Sequence, residues 1–267
     1  MMNTDNWEID FQTEWAGQKH FFQQELESTN VTAGQLAAAG AVHGTVVTAD
    51  KQTGGRGRRG RTWESPAGKN IYFSLVLRPD FEPEKASMLT LLMAHSVAEA
   101  IEDITRAGTA AGIKWPNDIL IHGKKVCGIL TEMRVEKGKI QHVIIGVGIN
   151  VKLQNFTGEL VEKASSLEDT CGKTVDRPIL LKKILKIFEK DYRLFEKAGN
   201  LTPFIQTYQS RLLNMDAQVK VLDPKEAFEG IARGISETGE LLVEKTDGSM
   251  CRVYAGEVSV RGLQGYI

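Results

Sequence analysis

Two tight turns restrict the middle of this chain to antiparallel strand pairing. The dipeptides His122-Gly123 and Lys137-Gly138 each lie between short apolar segments, and turns of this kind join neighbouring strands of a hairpin. The sequence predicts strands around them at 112–115, 119–121, 126–134 and 141–151. We therefore expect a mixed, largely antiparallel sheet, which is typical of the α+β fold class.

The flanking segments add strands and helices to this α+β body. Apolar, β-branched residues predict strands at 44–49 and 70–77. Helical spacing with proline starts and glycine ends predicts helices at 32–39, 83–107, 178–198 and 202–213, the second ending at Gly108. Residues 1–24 form an N-terminal extension, and we expect its aromatic side chains to pack on the body.

After about Asn214 the pattern changes to short strands separated by tight turns. The predicted strands are 217–222, 228–235, 241–244, 250–254 and 257–260. Short strands of even spacing are typical of a small β-barrel. We therefore expect two domains, residues 1–214 and residues 215–267.

Composition argues against several classes of protein. The chain has 33 Lys and Arg against 34 Asp and Glu, so it has no overall field to hold DNA or an anionic membrane. No apolar run approaches the roughly 20 residues that cross a bilayer, and the acidic, polar start is unlike a secretory signal. Three widely separated cysteines form no disulfide framework. These features predict a cytoplasmic protein that binds neither DNA nor membrane.

The loop after the strand at 44–49 is rich in glycine and arginine, with the sequence Gly54-Gly55-Arg56-Gly57-Arg58-Arg59-Gly60-Arg61. Glycines let backbone N–H groups approach an anion, and arginines bind phosphate or carboxylate with a planar fork. This favours an anion site over a solvated basic turn. The loop also matches G-x-G-x-x-G, but a dinucleotide site needs a helix to begin inside the glycines, and residues 62–68 predict a loop.

Three other segments place polar residues or glycines in or beside strands. Lys114-Trp115-Pro116-Asn117-Asp118 fits either a phosphate and magnesium site or a polar turn with a buried tryptophan. Lys125 can place its ammonium group beside a bound carboxylate while Gly128 leaves room for a ligand, or it can be a solvated turn lysine. Gly146-Val147-Gly148-Ile149-Asn150 indicates either close approach to the backbone or a β-bulge.

Common catalytic patterns are missing from the sequence. The five histidines show no spacing typical of a zinc site, and no G-x-S-x-G nucleophile elbow is present. Covalent catalysis by a protein nucleophile is therefore not indicated.

Taken in order, these motifs resemble those of the biotin–protein ligases. The similarity extends from about Glu25 to the C-terminus. The matching segments are Glu27-Ser28-Thr29-Asn30, 51–61 with Trp63, 114–118, Lys125-Val126-Cys127-Gly128-Ile129-Leu130 and Gly146-x-Gly148-x-Asn150. The resemblance implies a class II synthetase-like catalytic domain followed by an SH3-like β-barrel. It also implies an enzyme that converts biotin and Mg-ATP to biotinoyl-5′-AMP and passes biotin to a lysine of a biotin carboxyl carrier protein.

The resemblance also assigns roles to individual residues. Arg56, Arg58 and Lys125 would surround the reacting carboxylate and α-phosphate, and Asp118 would hold Mg²⁺. The implied biotin-binding residues are Ser28, Thr29, Asn30, Gln52, Arg56, Gly57, Arg58, Lys125 and Gly128, of which Ser28, Thr29 and Gln52 bind the ureido group. The implied ATP-binding residues are Arg58, Arg61, Trp63, Asn117, Asn150 and Arg261. Arg261 equally fits an ordinary surface charge.

Several alternatives stay open from the sequence. Some members of this family carry an N-terminal DNA-binding domain; only about 25 residues precede the similar region here, so we expect a ligase without operator binding. A ligase for another acid, such as lipoate, is the first alternative function. A non-enzymatic nucleotide- or nucleic-acid-binding module is the second. Monomer and homodimer are both compatible with the sequence.

Overall fold

The computed structural model describes residues 7–105, 110–152, 156–222, 227–255 and 259–262, which form two sheets with helices. The strands of the larger sheet are β1 His20–Leu26, β2 Val46–Gln52, β3 Asn70–Leu77, β4 Gly112–Lys114, β5 Asp118–Ile121, β6 Lys124–Glu136 and β7 Lys139–Asn150. They lie in the order β1-β2-β3-β7-β6-β5-β4. Only β1 and β2 are parallel, which confirms a mixed, largely antiparallel sheet.

The helices cover both faces of this sheet. They are α1 Thr29–Ala38, α2 Met88–Thr105, α3 Leu160–Lys163, α4 Leu167–Cys171, α5 Arg177–Ala198 and α6 Ile205–Gln209. Helix α1 packs its small residues Ala33 and Ala37 against Val47, Val76 and Ile144 on one face. Helices α2 and α5 pack on the other face, so every residue of β3 is buried. Among the helices of these ranges, none has the length and apolar character needed to cross a bilayer.

The local signals in the sequence explain where several elements begin and end. The Asp176 carboxylate accepts the backbone N–H of Ile179 and so caps α5, which ends at Gly199 in the left-handed region (φ 72°). Both predicted hairpin turns are present: His122-Gly123 and Lys137-Gly138 all have positive φ. The Trp115–Pro116 peptide bond is cis.

The smaller sheet contains β8 Gln218–Leu222, β9 Phe228–Ile235, β10 Leu241–Lys245, β11 Met250–Val253 and β12 Ser259–Gly262. All its pairs are antiparallel, in the order β11-β10-β9-β8-β12. Within the described residues the end strands β11 and β12 do not pair, so the predicted closed barrel is observed here as an open sheet. The domain boundary at 214/215 stays a prediction.

The N-terminal segment packs on the body, as its aromatic residues predict. Trp7 and Phe11 are buried, and the Trp7 ring stacks on Phe22 of β1 with 5.5 Å between centroids. The buried Glu189 carboxylate on α5 accepts the backbone N–H groups of residues 14, 15 and 16 at 2.7–3.1 Å. Helix α5 thereby holds this segment against the sheet.

Some elements differ from the sequence predictions. Strand β1 was not predicted, because its residues His-Phe-Phe-Gln-Gln-Glu-Leu lie on an edge and do not alternate cleanly between apolar and polar. The predicted helix 83–107 is divided into a 3₁₀ turn, Pro83–Ser87, and α2; its predicted end at Gly108 lies outside the described residues. The predicted helix 202–213 is only a 3₁₀ turn, Thr202–Phe204, and the short α6.

Candidate functional site

A single cavity collects most of the predicted binding residues. It lies where the start of α1, the end of β2, the arginine loop and the middle of β6 and β7 meet. The lining residues are Ser28, Thr29, Asn30, Gln52, Arg56, Gly57, Arg58, Trp63, Asn117, Lys125, Gly128, Ile129, Leu130, Gly146, Val147 and Gly148. All nine predicted biotin-binding residues are in this set. Of the predicted ATP-binding residues, Arg58, Trp63 and Asn117 are.

Uncharged polar groups form one end of the cavity. Ser28 precedes α1 with an extended backbone, and its side chain makes no capping hydrogen bond to the helix. The Gln52 Oε1 atom accepts the Thr29 backbone N–H at 2.9 Å and lies 3.2 Å from the Thr29 hydroxyl. This end therefore offers hydroxyl and amide groups that suit a neutral, hydrogen-bonding head group.

The Asn30 side chain is fixed by its neighbours beside these groups. Its Nδ2 donates to Glu132 at 2.7 Å, and its Oδ1 accepts the Ser74 hydroxyl at 2.6 Å. A Cβ added to Gly146 would lie 2.0 Å from the same oxygen, so this strand glycine is required for the close approach. Asn30 has its amide committed to the protein and is suited to supporting the pocket wall.

Positive charges surround one carboxylate at the other end. The Lys125 Nζ atom lies 2.7 Å from Asp118 Oδ1. Arg58 donates to the Asn117 amide oxygen and to the Ala255 backbone carbonyl, both at 2.9 Å, and thus joins the loop to the β4–β5 turn and to the segment after β11. Burial lowers the pKa of Arg58, although an arginine stays charged at neutral pH. Arg56 is more exposed and pairs with Glu27 at 3.4 Å.

Lys114 belongs to this cationic end. The sequence offered a phosphate and magnesium site in segment 114–118 as one alternative but did not include Lys114 among the predicted site residues. It is 7% exposed, and burial lowers its pKa to about 8, with Lys125, Arg261 and Arg61 lowering it further and Asp118 opposing them. Asp118 is the one carboxylate that the described residues place among these basic side chains, so their net charge is positive and attracts an anion. The arrangement therefore favours a phosphate-bearing ligand.

The indole of Trp63 lines the cavity beside two strand glycines. A Cβ added to Gly148 would lie 2.8 Å from Trp63 Nε1, and one added to Gly128 would lie 3.1 Å from Trp63 Cζ3. These glycines are paired across β6 and β7, so the indole rests on a bare patch of sheet. The Lys125 ammonium lies 5.1 Å from the ring centroid. With Trp63 in this position the cavity measures about 60 Å³.

Four predicted residues lie outside the cavity lining. Asp118 is outside the lining and forms the ion pair with Lys125 described above. Asn150 is buried and donates to the Ser165 backbone carbonyl at 3.1 Å. Arg61 and Arg261 are exposed, and both are close enough to Lys114 to lower its pKa. Their predicted roles in binding ATP or metal stay predictions.

Sequence reasoning missed three supporting side chains. Ser65 hydrogen-bonds Gln52, Ser74 hydrogen-bonds Asn30, and Glu132 holds the Asn30 amide. Isolated serines and a strand glutamate have no local pattern that marks them. Gly146 and Gly148 were singled out as strand glycines but not included among the site residues, and the structure places both in the wall.

Comparison with protein families gives two matches. Residues 17–150 match the biotin/lipoate A/B protein ligase family, and residues 216–261 match the biotin protein ligase C terminal domain.

Individual proteins named as biotin ligases are also similar to this chain over most of its length. The bifunctional ligase/repressor BirA of Bacillus subtilis (strain 168) is 42% identical over 93% of this chain and 76% of its own length. The biotin–[acetyl-CoA-carboxylase] ligase of Mycobacterium tuberculosis is 32% identical over 86% of this chain and 85% of its own length. The biotin protein ligase from Aquifex aeolicus in complex with biotin and ATP superposes with a TM-score of 0.79 and is 34% identical, covering 92% of this chain and 99% of that one.

Proposed function

This chain belongs to the biotin/lipoate A/B protein ligase family, and from its site we propose that it is a biotin–protein ligase. One observation carries the proposal: a single cavity has neutral hydrogen-bonding groups at one end and a cluster of basic side chains at the other. Biotin has a neutral ureido head and an anionic carboxylate, and its activation brings that carboxylate to a phosphate. The cavity matches this order of groups.

The first step joins two anions. A carboxylate oxygen of biotin attacks the α-phosphorus of ATP, the bond to the β-phosphate oxygen breaks, and pyrophosphate leaves. Arg58 and Lys125 reduce the repulsion between the carboxylate and the phosphates and stabilise the charge that develops at phosphorus. Arg56 and Gly57 of the loop complete this end, and Lys114, Arg61 and Arg261 are proposed to bind the leaving pyrophosphate, because the three basic side chains are close enough to influence one another.

Magnesium enters as part of the substrate Mg-ATP. Asp118 is a single carboxylate among basic groups, so a divalent ion fits beside it only together with phosphates, which supply its other oxygen ligands. The ion would offset phosphate charge there. Asn117 is the neighbouring amide, and Asn150 and Trp63 are proposed to lie near the adenine.

The second step transfers biotin to the acceptor. The neutral ε-amine of a lysine on a biotin carboxyl carrier protein attacks the acyl carbon of biotinoyl-AMP, the bond to the AMP oxygen breaks, and the amine loses a proton. No protein nucleophile takes part. Cys127, next to the site in sequence, is fully buried, and burial raises the pKa of its thiol, so it is unsuited to attack.

The test is exchange of labelled pyrophosphate into ATP by purified protein with magnesium. Exchange that requires biotin and is not supported by lipoate is the expected result. Exchange with lipoate alone would indicate the other branch of the family. A folded protein that exchanges with neither acid, and binds random DNA in a salt-sensitive manner, would instead be a nucleic-acid-binding module. Transfer is then tested by labelling a purified carrier domain and its lysine-to-arginine variant.

A further inference from the structure

The Gln52 side chain is held in one orientation by groups on both sides of it. Its Oε1 accepts the Thr29 backbone N–H, which can only donate, so Nε2 must be the atom that faces Ser65. That atom donates to the Ser65 hydroxyl oxygen at 3.0 Å. The amide orientation is therefore determined by the hydrogen bonds.

Ser65 connects this amide to the end of the arginine loop. Because its oxygen accepts from Gln52, its own proton is available to the Trp63 carbonyl, which lies 3.0 Å away. The backbone reinforces the connection: the Gln52 N–H donates to the Ser65 carbonyl at 3.2 Å, and the Trp63 N–H donates to the Gly55 carbonyl at 2.9 Å. The Tyr72 hydroxyl also contacts Ser65.

The space around this hydroxyl is closed. Ser65 is 7% exposed. A Cβ on Gly55 would lie 2.4 Å from the Trp63 carbonyl, 2.6 Å from Ser65 Oγ and 3.2 Å from Gln52 Nε2. The hydrogen bonds of Ser65 to Gln52 and Trp63 leave no room for a side chain at position 55. They therefore explain why this loop position is a glycine, in addition to any approach of the backbone to an anion.

We propose that Ser65 is a positioning residue for biotin: it fixes the Gln52 amide so that its remaining N–H meets the ureido group, and it links that end of the pocket to the loop that carries Trp63. This assignment rests on the proposed function. Ser65 acts through Gln52 and does not touch the reacting atoms. Without the hydroxyl, the amide keeps its bond to Thr29 and loses the bond that fixes its other end.

The first test needs no ligand. The Gln52 side-chain NH₂ signals of the ¹⁵N-labelled protein are identified by their absence in Gln52→Met. In Ser65→Ala we expect the hydrogen-bonded proton of this pair to lose its protection from solvent exchange. Its chemical shift should move to that of a solvent-exposed glutamine side-chain amide. Ser65→Thr keeps the hydroxyl and is expected to keep the signal. Unchanged Gln52 signals in Ser65→Ala would overturn the proposal.

The second test is a double-mutant cycle in the exchange reaction. Ser65→Ala is expected to raise the KM for biotin about tenfold, the size of one lost buried hydrogen bond, with the KM for ATP within about twofold of the wild type. In the Gln52→Met background the same substitution is expected to change the biotin KM less than about twofold. A merely structural role would instead weaken both backgrounds equally, and that result would overturn the proposal.

Thr62→Ala is the matched control, because it removes an exposed hydroxyl from the same loop. It is expected to leave both Michaelis constants unchanged. Tyr72→Phe separates the effect of the neighbouring hydroxyl, and a biotin KM that rises as much in this variant as in Ser65→Ala would assign the effect to Tyr72. A folded wild type with no biotin-dependent exchange would refute the ligase function, and the Gln52 signals would still decide whether Ser65 fixes the Gln52 amide.

Discussion

At the residue scale, the two glycines opposite each other in β6 and β7 determine the shape of the site. Gly128 and Gly148 leave a patch without side chains, and the Trp63 indole rests on it. The indole N–H is buried there without a hydrogen-bond partner among the described residues. Moving the indole away therefore breaks no hydrogen bond, and the patch becomes available to a ligand.

We predict that Gly148→Ala impairs the site without unfolding the protein. The new Cβ would lie 2.8 Å from Trp63 Nε1 and would occupy the bare patch, so the KM for biotin or ATP should rise about tenfold or more. The measurement is pyrophosphate exchange together with thermal unfolding. Gly34→Ala in α1 is the control, since no atom lies within 4 Å of its added Cβ. Equal activity of the two variants would contradict this account of the patch.

At the element scale, charged and polar side chains attach peripheral segments to the central sheet. Glu189 of α5 binds the backbone of residues 14–16, and hydrogen bonds to it lower the carboxyl pKa against the opposing effect of burial. On the sheet edge, the His20 ring of β1 lies 2.7 Å from the Thr48 hydroxyl of β2. Both contacts join residues that are far apart in the sequence, so they are lost when the chain unfolds.

Glu189→Gln tests the attachment of the N-terminal segment. The amide keeps an acceptor but loses the charge, so we expect the free energy of unfolding to fall by about 1–3 kcal/mol. Urea denaturation measures it. Glu159→Gln serves as the control, because that carboxylate is in an exposed pair with Lys163, which contributes little. A loss no larger than that of the control would show that residues 14–16 need no charged acceptor.

The edge histidine predicts a dependence of stability on pH. Burial lowers the pKa of His20 to about 4, below the ordinary value of 6.5. Between these values the unfolded chain binds a proton that the folded chain does not, so the free energy of unfolding decreases as the pH falls from 6.5 to 4. His20→Gln should show a smaller decrease between pH 7 and pH 5 in chemical denaturation. The same slope in both proteins would mean that other groups produce it.

At the scale of the whole molecule, hydrogen bonds from Trp115 and Arg58 join the body to segments around the smaller sheet, close to the site. The buried Trp115 donates its backbone N–H to the Asn214 amide oxygen at 2.8 Å and its indole N–H to the Gly239 carbonyl at 3.0 Å. Arg58 reaches the Ala255 carbonyl from the other side. The Lys114-to-Asp118 motif thus supports the smaller sheet and, through Asn117, also lines the cavity.

Trp115→Phe tests this connection. It leaves the Gly239 carbonyl without the indole donor, and we expect the free energy of unfolding to fall by about 1–3 kcal/mol, with faster hydrogen exchange in β9 and β10. Trp7→Phe is the matched control: Trp7 is also buried, but its indole N–H has no hydrogen-bond partner within the described ranges. Equal losses in the two variants would assign the effect to ring volume alone.

Much of the site was predictable because its parts are local in sequence. The arginine loop, Lys125 with Gly128, and the Ser28 to Asn30 segment each carry their chemistry within a few residues, and the structure brings them to one cavity. Asn150 and Arg261 were assigned by resemblance alone, and their positions outside the lining leave those roles untested. Strand β1 was not predicted, because its strand conformation depends on its pairing with β2 more than on its own residues.

The sequence by itself determined the fold class, the hairpins and the chemical character of the site, because turn geometry, hydrophobic periodicity and charge act over short distances along the chain. The tertiary structure alone decided which lone serine fixes Gln52, which glycines receive Trp63, and that Lys114 joins the basic cluster with its pKa lowered to about 8. These depend on contacts between residues far apart in the chain and on burial, neither of which a local pattern encodes.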